Sequence, residues 1–372
     1  MKIFLSTLDY SGSLYLYELA NRLKSKRKVE ISGIVRKVPG FHNFDSAIFS
    51  DDISTVGLFE VFPKFPHVMR VILKSLKWIL KNKPDKIVLC NSPDFNIPLA
   101  KIAKSISKAE IIYFIPPQVW AWRSSRIHSI TKLSSKIIVA LPFEEVLYSN
   151  SNANVFFVGH PLLEVLPLSK TQEDFRVGLD LPKEAKIIGL FPGSRLSEVE
   201  KIFPELLKVA EGISESIKNA LFLVPTNYFA LVNQFASNYS GKIDLRVFPS
   251  NKSWDVTGAS DYCIIASGTA SLEAGLFMKP SIVVYKMKKL TYLLAKLFVH
   301  TEKASLVNII LGDFVFPEFI QIINTAEIKS VIERFEKDEH LKSIIKYKLA
   351  NLRNLLKGQG LGLSHAADII LS

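Results

Sequence analysis

The chain has 372 residues, 48% of them hydrophobic, and a formal net charge of +12. That length admits two domains with sizeable cores, while two cysteines, Cys90 and Cys263, each in an apolar run, exclude a disulfide-stapled scaffold and fit a reducing compartment. No stretch reaches the ~18–20 uninterrupted apolar residues of a spanning helix, residues 1–5 are too short for a signal peptide, and the basic excess suits nucleic acid, an anionic membrane surface or phosphorylated substrates.

Residues 2–6 read as a first strand. Leu8 to Ser13 form a loop, and Leu14, Tyr17, Leu19, Ala20 and Leu23 make the apolar stripe of a helix. Residues 29–35 are a second strand. A strand–loop–helix–strand opening is how doubly wound sheets begin, with ligands above the strand ends. Residues 56–83 differ in character: Phe59, Phe62, Phe65, Ile72, Leu73, Leu76, Ile79 and Leu80 are interleaved with Lys64, Arg70, Lys74, Lys77, Lys81 and Lys83. Residues 68–81 can form an amphipathic helix, which also suits an ordinary surface element with its apolar face inward. Aromatics beside lysines over 58–65 suit acyl chains under anionic head groups, making Phe62 and Phe65 candidate lipid contacts.

Residues 87–90 form a buried strand that ends in Asn91-Ser92-Pro93-Asp94-Phe95-Asn96, with a helix over 97–107. Residues 111–115 are the next strand and lead into Pro116-Pro117-Gln118-Val119-Trp120-Ala121-Trp122-Arg123. Trp120 and Trp122 in a strand-end loop are either platforms for a sugar or lids on the core. A short basic helix over 126–133 and strands over 136–140 and 154–158 follow, the last ending in Gly159-His160-Pro161. His160 is a satisfied loop residue or, at the junction of two domains, a functional one. Residues 161–182 form a Pro- and Leu-punctuated connector. The domains are therefore expected over 1–165 and 166–372, with a return of the last helices to the first domain left open.

In the second half, residues 187–191 are a buried strand running into Pro192-Gly193-Ser194-Arg195. Ser197 and Glu200 have capping-box spacing, so a helix is expected from there to about Gly212. Gly193 permits close backbone approach, and Arg195 offers a fork of donors for phosphate. After strands over 221–224 and 245–248 comes a strand over 262–266, the turn Ser267-Gly268-Thr269, a helix over 270–277 and a strand over 281–285. The turn places free backbone N–H groups at a helix N-terminus, which attracts phosphate. Glu273, expected in that helix's first turn, can accept from ribose hydroxyls. The plainer alternative is a capped helix whose dipole Glu273 complements. Both turns are expected on one sheet edge. Residues 286–299 are basic and amphipathic, residues 327–356 helical, and a break over 358–362 precedes a last helix from Ser364. No His/Cys cluster has metal spacing, and the dispersed charge argues against nucleic acid.

Several of these stretches, in this order over nearly the whole chain, resemble the lipid-A-disaccharide synthase family. They are Val56-Gly57-Leu58-Phe59-Glu60-Val61, Ser92-Pro93-Asp94-Phe95-Asn96, Val119-Trp120-Ala121-Trp122-Arg123, Leu141-Pro142-Phe143-Glu144, Val158-Gly159-His160-Pro161-Leu162, Pro192-Gly193-Ser194-Arg195, Ala266-Ser267-Gly268-Thr269-Ala270 with Leu272-Glu273, and Asn308 with Pro317-Glu318. The resemblance implies an α/β fold of the GT-B type, two facing Rossmann-like doubly wound domains. It implies inverting, metal-independent transfer, without a cofactor, of 2,3-diacylglucosamine from UDP-2,3-diacylglucosamine to 2,3-diacylglucosamine 1-phosphate. The enzyme would be cytoplasmic, peripheral on the inner face of the inner membrane, against its anionic surface. Together with the residue readings above, it points to Gly193, Ser194, Arg195, Ser267, Gly268, Thr269, Glu273, Asn308 and Glu318 for the UDP-sugar. Ser11, Gly12, Asn91, Phe62, Phe65, Trp120, Trp122 and His160 are the candidates on the acceptor and lipid side.

The sequence departs from the family pattern in the first loop, Leu8-Asp9-Tyr10-Ser11-Gly12-Ser13 against Gly-Glu-x-Ser-Gly-Asp, and at Asn91, where the family usually has Asp. An amide cannot take a proton at neutral pH. Asp9 and Asp94 are therefore the candidate bases, with Arg195 stabilising the departing diphosphate. A different GT-B enzyme of UDP-sugars and a homologue that binds nucleotide or lipid without turnover are the alternatives. The oligomeric state is left open.

Overall fold

Almost unbroken apolar strands decide the architecture, because a strand buried on both faces belongs to a parallel sheet covered by helices. A computed structural model of the protein describes residues 1–38, 42–49, 65–121, 124–149, 153–287, 302–358 and 362–372. Its first sheet comprises β1 (Lys2–Ser6), β2 (Glu30–Val35), β3 (Ser46–Phe49), β4 (Lys86–Cys90), β5 (Glu110–Phe114), β6 (Lys136–Val139) and β7 (Asn154–Phe157). Their order is β3-β2-β1-β4-β5-β6-β7, and all pairs are parallel. The second sheet comprises β8 (Lys186–Phe191), β9 (Ala220–Thr226), β10 (Asp244–Pro249), β11 (Tyr262–Ala266), β12 (Ser281–Tyr285) and β13 (Glu318–Ile320), ordered β10-β9-β8-β11-β12-β13 and again parallel throughout. Ile3, Phe4 and Leu5 in one sheet and Ile187, Ile188 and Ile264 in the other are fully buried. The doubly wound α/β class expected from the apolar runs is the one that forms.

The chain divides into two units. One is Met1–Val165 with Leu355–Ser372, and the other is Leu166–Asn354. In each sheet the strand order reverses once, between β1 and β4 in the first and between β8 and β11 in the second. Ligands of doubly wound sheets bind outside the carboxyl ends of the strands at such reversals. No helix among the described residues is long and apolar enough to cross a membrane.

Several local expectations need correction. The helix expected from Ser197 starts at Leu196 with Arg195 as its N-cap, and it is Glu198, not Glu200, whose carboxylate reaches back to the Arg195 N–H. Glu273 lies in the second turn of the helix Thr269–Leu276, not the first. The long helix expected over 327–356 is two, Thr325–Lys337 and Glu339–Leu356. Asp338 interrupts it, and its carboxylate accepts the Leu341 N–H to start the second helix. The connector 161–182 contains the helix Gln172–Gly178, opened by a reciprocal Thr171–Asp174 capping box. The short edge strands β3 and β13 carry no strong apolar pattern and are visible only in the structure. The basic stretch 288–299 lies outside the described residues.

Candidate active site

At the first reversal, β1 runs into Thr7-Leu8-Asp9 and β4 into Asn91-Ser92. Asp9 caps the helix Tyr10–Lys26: its Oδ1 accepts the Gly12 N–H at 2.7 Å. Its Oδ2 accepts from the hydroxyls of Thr7 (3.0 Å) and Ser92 (2.9 Å). A side chain at position 12 would place its Cβ 2.5 Å from Thr7 Oγ1, so this first turn of the helix, closed against the strand end, requires glycine there. Ser11, next to it, is part-exposed. Ser92 Oγ also accepts the Leu8 N–H at 2.9 Å, tying the two strand ends together. Below them, Asn96 is fully buried; its amide donates to the carbonyls of Ser6, Cys90 and Asn91.

The β4 end is strained. Asn91 and Ser92 both adopt left-handed backbone, φ 43° and 44°, and Ile115 just beyond β5 has φ 53°. Such non-glycine residues cost on the order of 1–3 kcal/mol each and gather where a site over-determines the chain. The Tyr113 hydroxyl donates to the Asn91 carbonyl at 2.8 Å, which helps hold the turn. Asp94 opens the helix Pro93–Ile106 and is ion-paired with Arg126. Of the two candidate bases, then, Asp9 is fixed by hydroxyls and a backbone amide, and Asp94 is matched by a cation.

Other acceptor-side candidates are placed differently. Trp120 is part-exposed, and its indole N–H donates to Glu144 Oε1 at 3.1 Å while the ring meets Phe143 edge-on at 5.2 Å. Glu144, only 3% exposed, also takes the Leu141 N–H at 3.2 Å, and burial pushes its carboxyl up to about 7. His160 is buried; its Nδ1 accepts the Leu162 N–H at 3.2 Å and its backbone N–H donates to the Leu356 carbonyl. Burial pushes its imidazole down to about 4, so it is neutral at pH 7. It stands where the chain leaves the first unit and returns to it, and it binds that crossing together. Phe62 and Trp122 lie outside the described residues, and Phe65 is the first residue of the amphipathic helix Phe65–Asn82.

At the second reversal, β8 and β11 are neighbours, with Ile265 level with Phe191. The two turns singled out in the sequence, 192–195 and 267–270, therefore leave adjacent strands at the same sheet edge. Gly193 has φ 112°, and a Cβ there would lie 2.5 Å from Glu198 Oε2. That carboxylate accepts the N–H groups of Ser194 (3.1 Å) and Arg195 (3.3 Å), and its other oxygen pairs with the Arg195 guanidinium at 2.7 Å. The Ser194 and Arg195 N–H groups of this turn are thus already engaged. Those of Gly268, Thr269 and Ala270 have no partner among the described residues, and a Cβ at Gly268 would meet nothing within 4 Å. The open donors at this edge are therefore at the N-terminus of the helix Thr269–Leu276, with room before them.

Glu273 is part-buried beside Trp254, and burial pushes its carboxyl up to about 7, a rise the Trp254 side chain partly offsets. Ser267 Oγ donates to the Ala304 carbonyl at 2.9 Å. Asn308, fully buried, accepts the N–H groups of Val315 and Phe316 and donates to Glu318 at 2.7 Å. Glu318 in turn receives the N–H groups of Ala304 and Ser305. Asn308 and Glu318 thus shape the loop that carries Ala304 and anchors Ser267. Sequence reasoning missed Thr7, Ser92, Glu198 and Trp254; only the Arg195–Glu198 spacing carried a local signal.

Two parallel sheets, each doubly wound, with open backbone donors at a helix N-terminus beside the reversal of the second, define an α/β protein of the GT-B fold class. The solved structures it resembles are of that kind. One described as an S. aureus MnaA-UDP co-structure has a TM-score of 0.67 at 12% identity, covering 99% of this chain and 95% of that one. UDP-GlcNAc 2-epimerase from Neisseria meningitidis bound to UDP-GlcNAc also has a TM-score of 0.67 at 12% identity, covering 100% and 98%. At that identity the likeness shows the fold. The chain belongs to the lipid-A-disaccharide synthase family: the family model for LpxB, lipid-A-disaccharide synthetase, matches residues 3–364. Lipid-A-disaccharide synthase of Sulfurihydrogenibium sp. is 34% identical over 99% of this chain and 97% of its own. That of Aquifex aeolicus is 34% identical over 95% of each.

Proposed function

We propose that the protein transfers 2,3-diacylglucosamine from its UDP glycoside to the 6-hydroxyl of 2,3-diacylglucosamine 1-phosphate. The products are the β-1,6-linked lipid A disaccharide 1-phosphate and UDP. The observation that carries this reading is the pair of turns at the β8/β11 reversal, in a chain that belongs to the family. In an inverting displacement a base takes the acceptor proton as the acceptor oxygen attacks the anomeric carbon. The bond to the diphosphate breaks as the new glycosidic bond forms. The leaving diphosphate gathers negative charge, which the N–H groups of 268–270 and the Arg195 guanidinium are suited to stabilise. Arg195 would exchange Glu198 for phosphate as the nucleotide enters. Glu273 would take the ribose hydroxyls, with the Trp254 indole holding its carboxylate.

On the acceptor side, Asp9 is the base. It sits at the β1/β4 reversal between two hydroxyls, and the strained Asn91-Ser92 turn beside it presents the Asn91 amide as a hydrogen-bonding partner for the sugar. Asp94, held by Arg126, orients the same rim. The first unit takes acceptor and lipid, the second UDP-sugar. The helix Phe65–Asn82 supports a membrane-surface location on the inner face of the inner membrane: Leu73 and Leu80 are 52% and 51% exposed, interspersed with Lys74, Lys77 and Lys81.

The test is UDP release from UDP-2,3-diacylglucosamine with and without the monosaccharide phosphate, with product analysis. Acceptor-dependent UDP release and a disaccharide phosphate are expected. UDP binding with no acceptor-dependent release sinks the reading. Asp9→Asn should lower kcat by ~10²–10⁴-fold, the range of general-base catalysis, leaving UDP affinity unchanged. If Asp94→Asn shows that loss and Asp9→Asn does not, the base is Asp94.

A further inference from the structure

We propose that Arg36 forms a phosphomonoester subsite on the rim of the first sheet, beside the place that receives the acceptor hydroxyl; this deepens the acceptor reading above and rests on it. Arg36 follows β2 directly. Its backbone N–H donates to Ser13 Oγ at 2.9 Å, and that hydroxyl donates to the Asp9 carbonyl at 2.8 Å. A single serine hydroxyl thus joins Arg36 to the residue assigned as base. The Arg36 Nε is sealed from water and has no hydrogen-bond partner, while the residue as a whole keeps part of its surface accessible. Among the described residues no carboxylate pairs with it.

A sequestered donor on a cation, left unpaired, is costly, and native structures rarely keep one without a use. A guanidinium presents a planar fork that matches the oxygens of a phosphate, and the pairing is charge-assisted. The position fits the proposed acceptor. β2 is two strands from β4, ~10 Å at ordinary strand spacing, with β1 and Asp9 between them. In a hexosamine the carbon bearing the reacting hydroxymethyl group and the anomeric carbon both bond the ring oxygen, so the anomeric phosphate lies close beside that hydroxyl, and Arg36 lies one strand away on the β2 side of Asp9. The subsite would therefore select sugars phosphorylated at the anomeric carbon over unphosphorylated ones.

The experiment titrates glucosamine 1-phosphate, glucosamine and inorganic phosphate into the full chain and into Arg36→Gln and Arg36→Lys. The native protein should prefer glucosamine 1-phosphate over glucosamine by at least ~10-fold, as expected for one charge-assisted contact. Arg36→Gln should lose that preference and Arg36→Lys keep part of it. Inorganic phosphate binding as tightly as the sugar phosphate would reduce the site to a general anion contact and overturn the assignment. Equal preference in the native protein and Arg36→Gln would also overturn it. Arg36→Gln removes an unpaired charge, so its melting temperature should match or exceed that of the native protein. A lower one would mean that the guanidinium has a structural partner, against the proposal. In turnover, Arg36→Gln should raise KM for the acceptor at least ~10-fold and leave KM for the UDP-sugar unchanged. Arg36-dependent sugar phosphate binding without disaccharide formation would sink the transferase reading and leave the subsite. Disaccharide formation with an unchanged acceptor KM in Arg36→Gln would do the reverse.

Discussion

Glu144 is a carboxyl group in a place where its charge is expensive. Burial is the first cause of its shift to about 7; the indole of Trp120 and backbone N–H groups only partly offset it. The Tyr148 hydroxyl is buried near it without a hydrogen-bond partner. Between pH 4.5 and 7 the folded chain binds this proton more tightly than the unfolded chain does. The folded state is therefore relatively more stable at low pH, and this contribution is lost as pH rises through 7. A shift from 4.5 to about 7 corresponds to on the order of 3 kcal/mol. Glu144→Gln should remove that pH dependence. Urea unfolding of both proteins at pH 5 and pH 8 checks it, and parallel pH profiles would refute it. His160 runs the other way: its lowered value makes the fold lose stability as pH falls from about 6.5 toward 4. The Glu144 effect must therefore be read as a difference between the two proteins.

At the scale of an element, the turn after β8 is a backbone shape held by one carboxylate. Gly193 at φ 112° has no room for a Cβ because Glu198 fills it, and Glu198 fixes the Ser194 and Arg195 N–H groups and the Arg195 side chain. Gly193→Ala must displace Glu198 and turn the backbone out of a left-handed conformation, moving Arg195. UDP affinity should fall by at least ~10-fold, about one charge-assisted contact, while the circular dichroism spectrum stays native. Calorimetric titration with UDP measures it; unchanged affinity would show that the turn does not serve the nucleotide. This turn also shows what the sequence hides. The Pro192-Gly193-Ser194-Arg195 block was legible as a strand end, because a buried apolar run met a glycine and a fork of donors. Its internal wiring was not, because two pairs at capping spacing, Arg195–Glu198 and Ser197–Glu200, compete over the same six residues. Only the fold decides which forms. The doubly wound class was legible because parallel strands buried on both faces must be continuously apolar. The Asp9–Ser92 contact was not, since residues 83 positions apart meet only when β1 and β4 become neighbours.

At the scale of the molecule, the chain leaves the first unit after Val165 and re-enters it at Leu355. The last eighteen residues therefore complete a core that the first 165 begin. The closing helix Gly362–Leu371 buries Leu363, Ala366, Ala367, Ile369 and Ile370 and packs against the helix Tyr10–Lys26. Lys26 pairs with Asp368, Lys136 donates to the Ile369 carbonyl, and the Leu363 N–H donates to Glu164. The two passages meet at Gly159, φ 91°, where a Cβ would lie 2.6 Å from the Lys357 carbonyl oxygen. Ending the chain at Asn354 strips at least three large apolar side chains of their burial, at about 1.5–3 kcal/mol each. That is comparable with the whole stability of an ordinary domain. The truncated protein should unfold in two steps, the first unit at much lower urea and the second where it unfolds in the full chain. Trp254 is the sole tryptophan of the second unit, and Trp78, Trp120 and Trp122 belong to the first, so fluorescence follows both. UDP should still perturb Trp254, through Glu273, while disaccharide formation disappears. A single unfolding transition at the urea concentration of the full chain would mean that the closing helix contributes no stability to the unit it packs on.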